Sequence, residues 1–302
     1  MHSTDKIAIL MATYNGEKYI KAQLDSLLKQ KGCEVEIFIR DDGSTDRTLE
    51  IVQKYENELQ NVHVNSGKNI GYRDSFFELL FRVKNFDYYA FCDQDDVWLE
   101  DKISVAIDFL KRTSKPALYA SKKIYVDENL TPLGIKDKSL PLNLDFGFFR
   151  GGICGCTMVW NDSFRSLIWK YRPKQNFKSH DDYIRCLAIA TEIETFLDEK
   201  PRILYRRHSE NQSILPSDRV QRILRRGFKE FGSRKDLKLI CKDLKNGYMD
   251  ELTVEAKRFI EEISAPDCFQ SRVDLVRSSH IKTLPFYEEV FLKILILIKG
   301  IS

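Results

Sequence analysis

Short apolar runs alternate with segments in which apolar residues recur every three or four positions. The runs predict buried strands, and the recurring positions predict amphipathic helices. The predicted elements of the first part of the chain are strands at 6–14, 35–39, 61–65 and 88–92, and helices at 17–30, 49–55 and 71–85. Ser44 or Thr45 is expected to cap the second helix. This alternation predicts an α/β fold with a mostly parallel central sheet and helices on both faces.

Beyond residue 115 the alternation is less regular. A glycine-rich stretch at 150–160 predicts a loop that leads into a strand. The remaining predicted elements are strands at 117–121, 123–126, 195–197 and 202–205, a helix at 181–191, and helices from 217 to the end. We therefore predict a catalytic domain over residues 1–215 and a helical extension over residues 216–302.

Composition and charge exclude several classes of protein. The chain has 302 residues, 43% of them hydrophobic, and a net charge of +3. Intrinsic disorder is excluded as the dominant state, and a near-neutral charge gives no support for binding nucleic acid. The seven cysteines form an odd set without a disulfide framework, and the first residues lack a secretory pattern. No apolar run reaches about 18 residues. We expect a cytoplasmic protein without a membrane span.

Polar clusters follow three of the predicted strands. They occupy residues 13–15, 41–46 and 93–96. Because ligands of parallel sheets bind at the carboxyl ends of the strands, these clusters predict one common ligand site.

The most informative cluster is Asp93-Gln94-Asp95-Asp96. Three carboxylates so close together repel one another unless a cation compensates them, and their oxygens suit Mg²⁺ or Mn²⁺. The alternative is an acidic helix start with Asp96 as the cap. The second acidic cluster, at 41–46, can accept hydrogen bonds from a base or a sugar. Its alternative is a structural turn and helix cap, above all for Asp42 and Asp46.

These motifs occur in an order that resembles a known family. The matching residues are Thr13-Tyr14-Asn15-Gly16, Arg40-Asp-Asp-Gly-Ser-Thr-Asp46, Asn69-x-Gly71, Asp93-Gln-Asp-Asp-x-Trp98, Gly155-Cys-Thr-Met158, Ser179-His-Asp181 and Tyr205-Arg-Arg-His208. Over residues 5–215 the chain resembles the family 2 glycosyltransferases, which are inverting enzymes with the GT-A nucleotide-diphospho-sugar transferase fold. Within that family it is similar to the bacterial rhamnosyltransferase-like branch.

The resemblance implies a role for individual residues. Asp41 would accept a hydrogen bond from the pyrimidine N3–H, Asp93 would contact ribose or metal, and Asp95 would ligate the metal on the diphosphate. Asp181 would be the general base, and His208 would approach the metal. The other implied nucleotide contacts are Thr13, Tyr14, Asn15, Asp42, Asn69 and Arg73, and the implied neighbours of acceptor and sugar are Gly155, Cys156, Thr157, His180 and Asp182. Asp182 departs from the branch, which often has an aromatic residue there, and so places a second carboxylate beside the base.

The C-terminal extension has two notable segments. Residues 219–245 are rich in Arg and Lys at helical spacing, which suits either an anionic membrane surface or a solvated face of a packed helix. Residues 286–301 are apolar nearly all round, as in a buried closing helix, a homo-oligomer contact or an interfacial anchor.

The sequence therefore predicts an inverting glycosyltransferase that uses Mg²⁺ or Mn²⁺. The expected donor is a dTDP- or UDP-sugar, with dTDP-L-rhamnose as the first choice. The expected acceptor is a hydroxyl of a growing, lipid-linked cell-surface polysaccharide, which would favour peripheral attachment to the inner face of the cell membrane. The alternatives are a metal-dependent phosphohydrolase, and a non-catalytic module that binds membrane or nucleic acid.

Overall fold

A computed structural model describes residues 4–135, 137, 142–148, 153–208, 235–278, 280–281 and 286–299. The strands are β1 (Lys6–Thr13), β2 (Glu34–Asp41), β3 (Val62–Ser66), β4 (Tyr88–Cys92), β5 (Val97–Trp98), β6 (Ala117–Val126), β7 (Met158–Asn161) and β8 (Glu194–Arg206). The helices are α1 (Ile20–Leu27), α2 (Thr48–Glu58), α3 (Tyr72–Arg82), α4 (Lys102–Leu110), α5 (Leu144–Gly147), α6 (Asp162–Ile168), α7 (His180–Ala190), α8 (235–248), α9 (Val254–Ser264), α10 (Phe269–Arg277) and α11 (Phe286–Lys299).

The chain forms two compact units. The first comprises residues 1–139, 153–169 and 193–208, and the second comprises 140–152, 170–192 and 209–302. Two segments of the second unit thus come from the stretch predicted as one catalytic domain. The predicted boundary between residues 215 and 216 lies outside the described residues.

The first unit is built on an eight-stranded mixed sheet with the order β3-β2-β1-β4-β7-β6-β8-β5. The strands β1 to β4 pair in parallel, as do β6 and β8, whereas β7 and β5 pair antiparallel with their neighbours. Residues 7–11 of β1 are fully buried because β1 lies in the middle of the sheet between β2 and β4. In register, Thr13 lies beside Asp41 and Met11 beside Cys92. The polar clusters after these strands therefore share one edge of the sheet.

Some local predictions were wrong. Helix α2 begins at Thr48, and Asp46, rather than Ser44 or Thr45, accepts the hydrogen bond from the Thr48 N–H at 2.9 Å. Asp96 caps no helix, because β5 follows it and α4 begins only at Lys102. The paired short strands predicted at 117–126 and 195–205 are continuous strands, β6 and β8.

The second unit is helical. The Asp243 carboxylate of α8 is fully buried, and it accepts hydrogen bonds from the Tyr171 hydroxyl at 2.9 Å and from the Gln175 N–H at 2.8 Å. Phe177 stacks on Tyr183 of α7 with ring centroids 5.4 Å apart. These contacts join α8 to the segment that precedes α7. The predicted basic segment is described only from residue 235 onwards. Among the described helices, none combines the length and the apolar character that a membrane crossing requires.

Candidate active site

The carboxyl ends of β1 and β2 form a compact hydrogen-bonded cluster. Thr13 and Asp41 are both buried, and the Thr13 hydroxyl donates to Asp41 Oδ1 at 3.2 Å. Ser44 donates to the same carboxylate twice, through its hydroxyl at 2.5 Å and its N–H at 3.0 Å. Asp41 is thus held in one orientation by its neighbours, as a carboxylate that recognises a ligand N–H must be.

Asp42 is bound within the protein. Its carboxylate forms a buried ion pair with Arg40 at 2.6 Å, and it accepts hydrogen bonds from the Ile70 N–H at 2.7 Å and the Gly71 N–H at 2.8 Å. Arg40 also contacts Glu78 of α3 at 2.8 Å. This network fastens the loop before α3 to the end of β2. The structure therefore gives Asp42 internal partners, in line with the structural alternative for it.

The predicted residues Asn69 and Arg73 belong to the loop and helix that this network holds. Asn69 Oδ1 accepts a hydrogen bond from the Gly71 N–H at 3.2 Å, and Gly71 has φ +87°, a conformation that favours glycine. The Arg73 guanidinium contacts its neighbour Asp74 at 2.7 Å. Arg73 therefore places a positive charge in the first turn of α3, near Gly71, whose N–H donates to Asp42.

The loop after β1 is connected to both acidic clusters. Asn15 has φ 48°, donates its N–H to the Ser44 hydroxyl at 3.0 Å and accepts from the Thr45 N–H at 2.8 Å. The exposed Tyr14 exchanges two hydrogen bonds with Gln94: its N–H donates at 2.9 Å and its carbonyl accepts at 3.0 Å. Gln94 carries no charge, so it was overlooked among the aspartates. Its amide, able to donate and accept at once, was the available signal.

The second acidic cluster lies between β4 and β5. Asp95 Oδ2 is 2.8 Å from His208 Nε2, and both side chains are largely buried. Arg206 donates its N–H to Asp96 Oδ1 at 3.0 Å and its Nε–H to the Asp95 carbonyl at 2.8 Å. The end of β8 thus holds this loop, and it places His208 beside Asp95. Arg206 therefore positions this loop, a role that the sequence did not indicate.

The carboxylates of this cluster disfavour one another's charge. Burial, together with the charges of Asp95 and Asp93, raises the pKa of Asp96 well above its ordinary value. Burial lowers the pKa of Lys102, the nearby lysine on α4, to about 7. Within the described part of the chain the Lys102 ammonium has no hydrogen-bond acceptor, and it lies over the Trp98 ring, 3.3 Å from the centroid.

The donor set fits a divalent cation. One ligand atom each from Asp93, Asp96 and Cys156 lies within 4.8 Å of the others, and Asp95 with His208 borders this group. Carboxylate oxygens are the ligands that Mg²⁺ and Mn²⁺ prefer. Burial, followed by the charges of Asp96 and Asp93, raises the pKa of the Cys156 thiol well above its ordinary value, so the thiol stays protonated. The carboxylates are therefore the better candidates for holding the ion.

The turn at Gly155–Thr157 lies beside this cluster through Cys156. It is a short 3₁₀ turn with all three residues buried, and the Thr157 hydroxyl donates to the Cys154 carbonyl at 2.7 Å. The buried Lys123 ammonium contacts Cys154 Sγ at 2.7 Å. The turn is therefore held in a defined conformation next to the acidic loop.

The predicted base is in the second unit, at the first turn of α7. Asp181 Oδ1 accepts hydrogen bonds from the Ser179 hydroxyl and, at 2.9 Å, from the Asp182 N–H. Asp182 forms an ion pair with Arg185 at 2.5 Å. Burial lowers the pKa of His180 to about 4, so the imidazole is neutral near pH 7. The Arg185 contact distinguishes the two carboxylates by their partners, while burial raises the pKa of Asp182 above its ordinary value although Arg185 opposes this.

Comparisons with known proteins identify chains of similar sequence. The sequence profile of glycosyl transferase family 2 matches residues 8–168. The dTDP-rhamnosyl transferase RfbG of Shigella flexneri is 34% identical over 212 residues, 67% of this chain and 73% of the relative. The Bacillus subtilis teichuronic acid biosynthesis glycosyltransferase TuaG (putative) is 29% identical over 164 residues, 52% of this chain and 62% of the relative.

Solved structures share the fold. The crystal structure of S. aureus TarS 1-349 superposes with a TM-score of 0.61 at 19% identity, over 98% of this chain and 81% of that one. The same protein in complex with UDP-GlcNAc gives a TM-score of 0.60 at 18% identity, over 98% and 82%. The fold is thus the GT-A fold with helices added at the C-terminal end.

Proposed function

Because this chain belongs to glycosyl transferase family 2, we propose that it transfers L-rhamnose from dTDP-L-rhamnose, with inversion, to a hydroxyl of a growing cell-surface polysaccharide. Family membership makes the chain a glycosyltransferase and sets aside the phosphohydrolase and the non-catalytic module. The choice of donor is supported by the 34% identity to RfbG, whose name specifies dTDP-rhamnose. The observation that carries the catalytic part is the 2.8 Å contact of Asp95 with His208 beside Asp93.

In this proposal the nucleoside binds at the ends of β1 and β2. The Asp41 carboxylate accepts the N3–H of the pyrimidine, which both thymine and uracil carry. Its orientation is set by the Thr13 hydroxyl at 3.2 Å and by Ser44. Ser44 and Thr13 occupy part of the hydrogen-bonding capacity of the carboxylate. The lone pairs that remain can accept from a neutral N–H donor, whereas the negative charge repels a phosphate. Tyr14, Asn15, Asn69 and Arg73 complete the proposed nucleotide contacts.

Asp93 and Asp95 would hold the cation in this proposal, and His208 would approach it from beside Asp95. A bound Mg²⁺ or Mn²⁺ supplies positive charge where the diphosphate leaves. The protein's part is to keep the carboxylates in place: Arg206 binds the Asp95 carbonyl at 2.8 Å, and the His208 ring orients the Asp95 carboxylate. Asp93 would also contact the ribose or the metal.

Asp181 would remove the proton from the attacking acceptor hydroxyl. The Ser179 hydroxyl and the Asp182 N–H fix its carboxylate by donating to it. Asp182 is held by Arg185 and would serve as a support rather than as the base. Gly155, Cys156, Thr157 and His180 would then lie near the acceptor and sugar.

A panel of nucleotide sugars tests the donor. Thermal unfolding is measured with dTDP-L-rhamnose, dTDP-glucose, UDP-glucose and UDP-GlcNAc, each with MnCl₂ at a concentration far above its dissociation constant. A ligand at 100 times its Kd raises the free energy of unfolding by about 2.7 kcal/mol. We expect the largest shift with dTDP-L-rhamnose. A UDP-sugar giving the largest shift would contradict the proposed donor. UDP-GlcNAc is included because a solved structure of similar fold contains it.

Two matched variants test the base. Asp181→Asn removes the carboxylate proposed as base, and Asp182→Asn makes the same carboxylate-to-amide change at the neighbouring residue. General base catalysis contributes about 10²–10⁴-fold, so transfer by Asp181→Asn should fall by that factor while donor binding persists. Asp182→Asn should retain activity within about tenfold. Equal activity of Asp181→Asn and the wild type would exclude Asp181 as the base.

The proposal also includes a lipid-linked acceptor and a cytoplasmic location at the inner face of the membrane. Val290, Ile294 and Ile298 form an apolar stripe on α11, exposed by 42%, 46% and 65%. In sequence, the basic segment 219–245 would add attraction to anionic lipid. Co-sedimentation with phosphatidylglycerol vesicles should be strong at low salt and weak at high salt. Ile294→Glu should weaken it, and Val254→Glu, which changes an exposed residue of α9, is the control.

A homo-oligomer through the C-terminal helices is the competing use of this stripe. Sedimentation velocity distinguishes the two. A stable dimer that Ile294→Glu converts to a monomer, with no vesicle binding by the wild type, would contradict the membrane proposal.

A further inference from the structure

Gln94 connects the two loops that the proposed function uses. Its amide oxygen accepts the Tyr14 N–H at 2.9 Å, and its amide nitrogen donates to the Tyr14 carbonyl at 3.0 Å. The two groups belong to segments that follow different strands, β1 and β4. We name this pair of hydrogen bonds the Gln94 bridge. Only a primary amide can donate and accept in this way, so Asp or Glu at this position would lose one of the two bonds.

Gly16 makes room for the bridge. A Cβ added at Gly16 would lie 2.4 Å from Gln94 Oε1 and 2.6 Å from Gln94 Cδ, closer than any ordinary contact. The three nearest atoms all belong to Gln94. The Gly16 N–H also donates to the Thr48 hydroxyl at 2.7 Å, which holds the glycine against α2. A side chain at residue 16 would therefore displace the Gln94 amide.

We infer that Gln94 is a positioning residue that couples the nucleoside loop (residues 13–16) to the acidic loop (residues 93–96) through Tyr14. The inference rests on the proposed function, because it assigns a nucleotide to one loop and the diphosphate cation to the other. The bridge holds Tyr14 and Asn15 in the arrangement that receives the nucleoside. Through Gln94 it also holds the loop that carries Asp93 and Asp95. Each loop then favours the bound arrangement of the other.

Hydrogen exchange tests the bridge without any substrate. In the wild-type protein the Tyr14 N–H is protected by Gln94. In Gln94→Ala and in Gly16→Ala its exchange should be about tenfold faster, the size expected for the loss of one or two neutral hydrogen bonds. Gln53→Ala, which changes an exposed glutamine on α2, is the control and should leave the exchange of Tyr14 unchanged. Unchanged protection in Gln94→Ala would overturn the inference whatever the donor is.

A double-variant cycle tests the coupling in the enzyme. Gln94→Ala and Gly16→Ala should each raise the donor KM by about tenfold, with kcat within about threefold and little change in Tm. In the Gln94→Ala background, Gly16→Ala should have no further effect, because the atoms it displaces are gone. Gln94→Glu keeps the acceptor for the Tyr14 N–H and should lie between wild type and Gln94→Ala.

Additive effects in the double variant, or a fall in Tm with KM unchanged, would show a merely structural role and overturn the inference. Failure of the proposed function is a separate result. It would appear as a wild-type protein that transfers no sugar from any nucleotide sugar, while the exchange of the Tyr14 N–H still reports on the bridge.

Discussion

The two acidic loops at the ends of β2 and β4 resemble each other in sequence and differ in their electrostatic surroundings. In the first loop, Asp42 forms a buried ion pair with Arg40 at 2.6 Å, and Asp41 accepts three hydrogen bonds from Thr13 and Ser44. In the second loop, the pKa of Asp96 is raised well above its ordinary value by burial and by Asp95 and Asp93. Similar residues lie beside a buried cation in one place and beside one another's negative charge in the other.

This difference separates two ways of preparing a ligand site. Carboxylates with fixed internal donors present rigid acceptor atoms, which suits recognition of a neutral base. Carboxylates that repel one another store an unfavourable interaction that an added cation relieves. We expect substitutions in the first loop to act on stability and donor KM, and substitutions in the second to act on turnover and metal response.

The largest effect is expected from Asp95→Ala. Loss of a carboxylate from the cation site should lower kcat by about 10³-fold, because several kcal/mol of charge stabilisation at the leaving diphosphate is lost. The measurement is initial rate against MnCl₂ concentration, where saturation should disappear. Asp162→Ala is the control, since Asp162 accepts a hydrogen bond from Tyr89 elsewhere in the sheet. A normal Mn²⁺ response in Asp95→Ala would refute the contrast between the loops.

In the first loop, Asp42→Asn should lower the free energy of unfolding by about 2–3 kcal/mol, because a charged hydrogen bond to buried Arg40 is lost. It should also raise the donor KM, since the loop at Asn69 loses its anchor. Urea unfolding and steady-state kinetics measure the two. Asp198→Asn is the control: it breaks a comparable pair with Arg202 on β8 and should lower stability with KM unchanged.

A smaller effect is expected from His208→Gln. Residues that orient a metal ligand contribute about 10–100-fold to metal affinity. We expect the Mn²⁺ concentration for half-maximal rate to rise by about tenfold, with kcat nearly unchanged at saturating Mn²⁺. His63→Gln is the matched control, because His63 contacts Glu36 at 2.6 Å on the distant strand β3. An equal change in both variants would speak against a role of His208 at the cation site.

The smallest effect, opposite in sign, is expected from Lys102→Met. Burial lowers the pKa of Lys102 from 10.5 to about 7, whereas Asp96 and the thiols of Cys92 and Cys156 oppose the lowering. The folded state then disfavours the charged form, and the variant should be more stable by about 1 kcal/mol near pH 7.

The sign with pH follows from the same shift. The folded pKa lies below the unfolded one, so the cost of Lys102 is full below about pH 7 and disappears as the pH rises towards 10.5. Urea unfolding at pH 6 and pH 9 should therefore show a larger advantage of Lys102→Met at pH 6. A larger advantage at pH 9 would contradict this.

Many elements of the first unit were predictable because buried strands and amphipathic helices leave a short-range pattern of apolar residues along the chain. The buried run at 7–11 and the polar residues after β1, β2 and β4 are local patterns, and the parallel register places their ends together. From this alone the polar clusters at 13–15 and 41–46 were expected at one edge of the sheet, where Thr13 and Asp41 share a hydrogen bond at 3.2 Å. The approach of His208 to a metal was expected only through resemblance to a family.

The partners of individual polar groups were not predictable in the same way. Ser44 or Thr45 was expected to cap α2, but Asp41 and Asn15 engage the Ser44 side chain, and Asp46 accepts the hydrogen bond from the N–H of Thr48, the first residue of α2. The sequence pattern indicated no role for Gln94, yet it bonds to Tyr14, 80 residues away in sequence. Each choice is a competition among several donors and acceptors that only meet once the chain has folded.

The order of apolar and polar residues was thus sufficient to specify the alternating elements, the buried strands and the edge of the sheet where the ligand residues gather. Tertiary structure alone decided that Asp42 is buried against Arg40 and that Asp96 is buried beside the charges of Asp93 and Asp95. The physical reason is the distance along the chain over which each interaction acts. Strand and helix formation depends on neighbours a few residues apart, whereas a buried carboxylate is stabilised by whichever donor or cation the fold brings within hydrogen-bond distance.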